Sequence, residues 1–165
     1  MRTKKLNKRV TWLTHRGADM GIQLFTIGFT QKNAEKFFTI LRNSHIRRIL
    51  DIRLNNVSQL AGFTKRDDLR FFLREICHAD YHHLPECAPN AAILDEFKKD
   101  GGTWETYVQR FVPLIHSRRI ETVLTSELLE FGCLLCSEPA PEKCHRRLVA
   151  EYLKERVSGL TITHL

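Results

Sequence analysis

Apolar positions along the chain fall into two patterns that alternate, short continuous runs and recurrences every three or four residues. The run from Ile22 to Gly28 is apolar and rich in β-formers, as expected of a buried strand. Gly28-Phe29-Thr30 then reads as a turn with Thr30 as a helix N-cap, and Phe37, Phe38, Ile40 and Leu41 carry the helix. Ile46 to Ile52 forms a second short strand ending at Asp51-Ile52-Arg53, which completes a βαβ unit of a parallel sheet. A polar loop from Leu54 to Thr64 leads to a helix marked by Leu69, Phe72, Leu73 and Ile76, and Tyr81 to Leu84 is a short strand closed by Pro85. Pro89 precedes a helix through Ile93, Leu94 and Phe97, which the Gly101-Gly102 pair ends. An amphipathic helix follows from Trp104 to about His116, with Pro113 expected to kink or shorten it. Cys133 to Cys136 is the next strand, Leu148, Tyr152, Leu153 and Val157 recur along a helix that starts at Cys144, and Leu160 to Leu165 is a terminal strand. This alternation predicts one three-layer α/β domain over residues 20–165, with a mostly parallel central sheet flanked by helices.

Charge adds a second region. Residues 1–19 hold Arg2, Lys4, Lys5, Lys8, Arg9 and Arg16 against Asp19, so most of the net charge of +7 belongs to a basic N-terminal arm. Such an arm either tracks nucleic-acid phosphates or is simply a solvated tail. Met20, just ahead of the first strand, offers a third reading in which the arm precedes the biological start. No apolar stretch approaches the roughly 20 residues a bilayer requires, and the basic start is not followed by a signal-peptide core. The five cysteines form no secreted disulfide framework, so free thiols and a cytoplasmic location are expected.

Chemistry concentrates between Leu134 and Arg147, where an apolar strand runs through Ser137, Glu138 and Pro139 into a helix opening with Cys144, His145 and Arg146. Unpaired N–H groups and the positive dipole end at a helix start favour anions and lower a thiol's pKa. Ligands of open α/β sheets also gather outside the carboxyl ends of the strands. Arg146 is the leading candidate for holding a phosphate or carboxylate, because its planar fork presents paired donors. Cys144 is either a nucleophile assisted by His145 or a small buried residue closing helix–sheet packing. Adjacent helical residues point about 100° apart, so the two need not form a dyad. Glu138 is a candidate general base or partner of Arg146. Asp51 and Arg53 either complete a polar pocket or form an internal ion pair. Zinc is not expected from Cys133, Cys136, Cys144 and His145, since positions 133 and 136 of a strand face opposite ways.

Taken in order, Thr26-Ile27-Gly28, Asp51-Ile52-Arg53 with Ser58, His83-Leu84-Pro85-Glu86, and Leu135-Cys136-Ser137-Glu138 followed by Cys144-His145-Arg146 resemble the domain-of-unknown-function family 488. The resemblance spans about residues 22–157. It implies an α/β fold with one shared site built from these segments, and it makes the face carrying Tyr81 and His83 the site-directed one, with His78 and His82 solvated. Two departures stand out: Phe29 occupies a place where many relatives carry His, and Asn56 one where Pro is usual.

The aromatic residues Phe37, Phe38, Phe71, Phe72, Trp104 and Phe111 sit at helical spacing and are assigned to the core. No glycine-rich phosphate loop, nucleophile elbow or dinucleotide fingerprint is present, so no cofactor and no metal are expected. The first functional expectation is a small enzyme, or enzyme-derived domain, binding a phosphorylated or nucleotide-like ligand at the strand ends. Arg146 and Arg53 would hold the anion, with Asp51, Gly28, Tyr81 and Cys136 around it. Glu138, Cys144, His145 and His83 would supply acid, base or nucleophile. The alternatives are a nucleic-acid-binding module using residues 1–19, and a thiol sensor built on Cys136 and Cys144.

Overall fold

The computed structural model describes residues 21–57 and 61–165; the basic arm expected over residues 1–19, and Ser58, lie outside the described residues. Five strands form one sheet: β1 (Gln23–Gly28), β2 (Arg48–Asp51), β3 (Asp80–His83), β4 (Gly132–Cys136) and β5 (Thr161–His164). Their order is β3-β2-β4-β1-β5, and every pairing is parallel. Six α-helices flank it: α1 (Ala34–Asn43), α2 (Arg66–Phe72), α3 (Ala91–Lys98), α4 (Trp104–Ser117), α5 (Ser126–Leu129) and α6 (His145–Lys154).

Alternation along the strands divides the core in two. Phe25, Ile27, Ile49, Cys133 and Leu135 meet Phe37, Phe38 and Leu41 of α1 and Leu69 of α2. Leu24, Leu50 and Leu134 meet α3, α4 and α6 through Ile93, Tyr107, Phe111, Ile115, Leu148 and Val149. A sheet apolar on both faces must be covered on both, which gives the three layers.

Several local expectations change. The cap of α1 is Asn33, whose side chain accepts from Lys36 N–H, rather than Thr30. Thr30 instead donates its hydroxyl to the Ser137 carbonyl at 2.6 Å, tying the exit of β1 to that of β4. Gln31, at φ +60°, turns the chain between them and delays the helix. Pro113 leaves α4 unbroken. Its missing N–H falls on the exposed side of the helix, opposite Phe111 and Ile115, where water can serve the freed carbonyl. The α2 helix continues into a π-helical turn, Leu73–Cys77, ended by His78 at φ +51°. Phe71 is about half exposed and so is not a core residue. No helix of the described residues is long and apolar enough to cross a membrane.

Candidate functional site

In this strand order the chain leaving β2 turns toward β3, while the chain leaving β4 returns across the sheet toward β5. The carboxyl ends of β2 and β4 therefore flank a point where connections diverge, which opens a crevice. Register brings Cys136 level with Gly28, and Leu135 level with Asp51, at that edge. A cavity of about 230 Å³ opens there.

Its floor is a cluster of two thiols and an imidazole. His145, the first residue of α6, directs Nδ1 to Cys136 Sγ at 3.4 Å and Nε2 to the Ile52 carbonyl at 2.9 Å. A carbonyl only accepts, so Nε2 carries a proton and the state of Nδ1 is set by the sulfur. Burial opposes ionisation of Cys136, but bonds from the Cys144 thiol, His145 and the Glu138 backbone outweigh it and hold the thiol well below its ordinary range. Cys144 moves the opposite way, pushed up by its bond to Cys136 and then by burial. Burial also opposes the His145 charge, and the Cys136 thiolate overcomes it, raising the imidazole. The three groups thus bias one another: Cys136 and His145 each favour the other's charged form, and Cys144 is held toward the thiol. His145 partners Cys136 rather than its neighbour, as the helical angle between adjacent residues allows.

Cys144 is the N-cap of α6, and its side chain makes no capping bond. Arg146 is fully buried and absent from the cavity lining. Its Nη1 donates to the Glu138 carbonyl at 2.6 Å and to Cys144 Sγ at 3.2 Å, and Nη2 donates to the Pro139 carbonyl at 3.3 Å. The guanidinium thus holds the turn between β4 and α6 from beneath, a different place from the one the anion-clamp expectation gave it. Glu138 meets Arg146 through its backbone; its carboxylate pairs with Lys98 at 3.1 Å on the rim.

The second group lies at the end of β2. Arg53 grips Asp51 with Nε at 2.8 Å and Nη2 at 2.6 Å, both residues nearly inaccessible. Burial works against the Arg53 charge, but the Asp51 bond overrides it and raises its pKa. Tyr81 donates to Asp51 Oδ2 at 2.6 Å and receives Asn56 Nδ2 at 3.1 Å. Burial, then Asp51, push the phenol up, so it remains a donor. His83 reaches the Arg53 carbonyl at 3.0 Å, outside the cavity lining. Tyr81 and His83 share the duty of fixing residues 51–53, in keeping with one shared face. Both departures from the family pattern belong here: Asn56 bonds Tyr81, and the Phe29 ring lies 5.2 Å beneath the Arg53 guanidinium.

Between the two groups, Arg53, Lys98 and Lys143 bring positive charge to the cavity, and Phe97, Trp104 and Tyr107 form an aromatic wall. Trp104 and Tyr107 were assigned to the core or passed over in the sequence, yet they stack with centroids 5.2 Å apart and line the opening. Their i, i+3 spacing on α4 is the ordinary signature of a buried stripe, so the pattern alone held no mark of a cavity. Burial, followed by Cys136, Cys144 and Glu138, pushes the Tyr107 phenol up.

Gly28 has a steric duty. A Cβ there would lie 1.6 Å from the Glu138 carbonyl oxygen and 3.0 Å from Arg146 Nη1. Gly28→Ala is expected to displace the turn and cost about 1–3 kcal/mol, the usual range for overpacking. A melting temperature equal to the wild type's would show that the turn yields freely.

Residues 33–153, nearly three-quarters of the chain, match the model of the family described as "Domain of unknown function DUF488". No curated protein and no solved structure matches the chain. The matched span contains the cluster at the ends of β2 and β4, and the chain belongs to the DUF488 family.

Proposed function

We propose that the protein is an enzyme-type α/β domain that takes a phosphorylated or nucleotide-like small molecule into the cavity at the carboxyl ends of β2 and β4. The observation that carries this reading is the composition of that cavity: cationic side chains, an aromatic wall and a reactive floor in one opening of about 230 Å³.

Each part has a chemical use. Lys143 is exposed, and among the described residues Lys98 is engaged only in a rim ion pair with Glu138. Exposed pairs of this kind contribute roughly 0–1 kcal/mol, so an incoming anion exchanges for the carboxylate at little cost. Arg53 spends Nε and Nη2 on Asp51 and the Thr64 carbonyl, which leaves Nη1 without a partner among the described residues. Trp104 offers a face for a planar group. Cys136 and His145 stand beneath the position a bound ligand would occupy. Anion binding passes in this reading from Arg146 to Lys98, Lys143 and Arg53.

Mononucleotides and inorganic phosphate are expected to raise the melting temperature of the full chain at low salt. Charge-assisted contacts are each worth roughly 1.5–3 kcal/mol, so Lys98→Ala combined with Lys143→Ala should weaken mononucleotide affinity by about tenfold or more. Titration calorimetry on the wild type and the double variant checks both points. No shift with any phosphorylated compound, or equal affinity in the double variant, would remove the assignment.

A further inference from the structure

We propose that Cys136, Cys144 and His145 are the protein ligands of one soft or borderline divalent cation, zinc by its donor chemistry, with a fourth coordination position open to the cavity. The three donor atoms lie within 4.8 Å of one another. A tetrahedral zinc site has metal–sulfur and metal–nitrogen distances of about 2.3 and 2.0–2.1 Å. Those lengths set neighbouring donors about 3.6–3.8 Å apart. Cys136 Sγ and His145 Nδ1 stand 3.4 Å apart in the protein, so a small outward movement admits the ion.

The second observation concerns the far side of the ring. Metal-ligating histidines nearly always donate their other N–H to a carbonyl or carboxylate, which fixes the tautomer and aims the free nitrogen. His145 makes that bond with Nε2, to the Ile52 carbonyl at 2.9 Å. Metal binding would release the Nδ1 proton, and a His145 so anchored would then present a bare Nδ1 to the ion. Two elements hold the donors in place, the end of β4 and the first turn of α6.

Charge and topology complete the argument. Ligation by both cysteines would place two thiolate charges side by side in a buried site, which one divalent cation balances. Arg146 adds an N–H to Cys144 Sγ at 3.2 Å, the outer bond that steadies a bound thiolate. Cys133 is excluded, since it packs on the opposite face of the sheet against the α1 and α2 layer. The rejection of a four-residue site on that ground still holds; it leaves three ligands. Three protein ligands beside an open cavity are the arrangement of a catalytic rather than a structural zinc. Thiolate donors select against magnesium and calcium, which prefer oxygen. What the open position does, polarising a ligand oxygen or a water molecule, rests on the ligand reading above; the metal site does not.

The test uses the reduced full-length protein, freed of metal by a chelator and titrated anaerobically with cobalt(II). About one cobalt per chain is expected, with the intense visible bands of a tetrahedral ion and a sulfur-to-cobalt charge-transfer band, all displaced by zinc. Cys136→Ser and Cys144→Ser should each lose the charge-transfer intensity and most of the affinity, whereas Cys77→Ser, remote from the cluster, should retain both. A wild-type protein without a thiolate–cobalt band overturns the proposal, whether or not the variants fold. Binding unchanged in both Cys136→Ser and Cys144→Ser also overturns it. The phosphate and mononucleotide titrations, run on the same metal-free sample, separate the two readings. Cobalt bands without a ligand response leave the metal site standing and remove the proposed function, and the reverse result removes the metal alone.

Discussion

Replacing Asp51 with alanine is expected to destabilise the protein by about 3–5 kcal/mol, the range for removing one partner of a buried ion pair. Asp51 is fully buried and accepts from Arg53 through Nε, Nη2 and the backbone N–H, and from the Tyr81 hydroxyl. Without the carboxylate, a buried guanidinium keeps, among the described residues, only the Thr64 carbonyl. The penalty is mostly that of the stranded charge rather than of the lost bonds. A double variant, Asp51→Ala with Arg53→Met, should therefore recover at least half of the loss, because charge leaves together with its partner. Urea unfolding of the three proteins decides the matter. A single variant within about 1 kcal/mol of wild type would mean that water already reaches the pair.

The second large effect belongs to Arg146→Ala, with an expected cost of about 2–4 kcal/mol. Two carbonyls, those of Glu138 and Pro139, lose their donor, at roughly 1–3 kcal/mol for each that stays dry. A void also opens beneath the turn. Against these stands relief from burying a charge whose bonds run to carbonyls and a thiol. The Nε atom, buried and without a hydrogen-bond partner among the described residues, belongs to the same account. Arg146→Ala should also loosen the turn between β4 and α6, seen as faster amide exchange at Glu138 and Lys143. A stable variant with unchanged exchange would show that the turn holds itself.

Much of the architecture was legible from periodicity. The five strands and the helices at 34–43, 66–72, 91–98, 104–117 and 145–154 were each announced by an apolar run or stripe of the right length. The short α5 was missed. Only Thr125, whose hydroxyl accepts from Leu128 N–H, signals it, and a helix of one turn has no period to read. The end of β4 was also legible as a candidate site, because thiols, imidazole and guanidinium fall there on one strand-to-helix turn.

Which residue meets which was not legible. The pairing of His145 with Cys136 spans nine positions and depends on the turn's path. The burial of Arg146 depends on the same path, since the turn folds its carbonyls back over the guanidinium. For Asp51 and Arg53 the sequence left two readings, and the geometry selects the internal ion pair as the main contact. Trp104 and Tyr107 could be placed at a cavity only after α4 had been docked against α3 and α6.

The strand order has a consequence for how the chain comes into being. β1 and β2 are not neighbours; β4 lies between them, and β5 completes the far side of β1. On the ribosome, β1 emerges about a hundred residues and β2 about eighty residues before the strand that joins them, at roughly 5–20 residues per second. Both carry apolar faces and unpaired backbone edges during that interval. Sheet assembly is thus a late event, gated by synthesis of residues 132–136 and dominated by distant partners, which slows folding. Nascent chains arrested before β4 should consequently be held by chaperones or aggregate, while those that have cleared it can close the sheet.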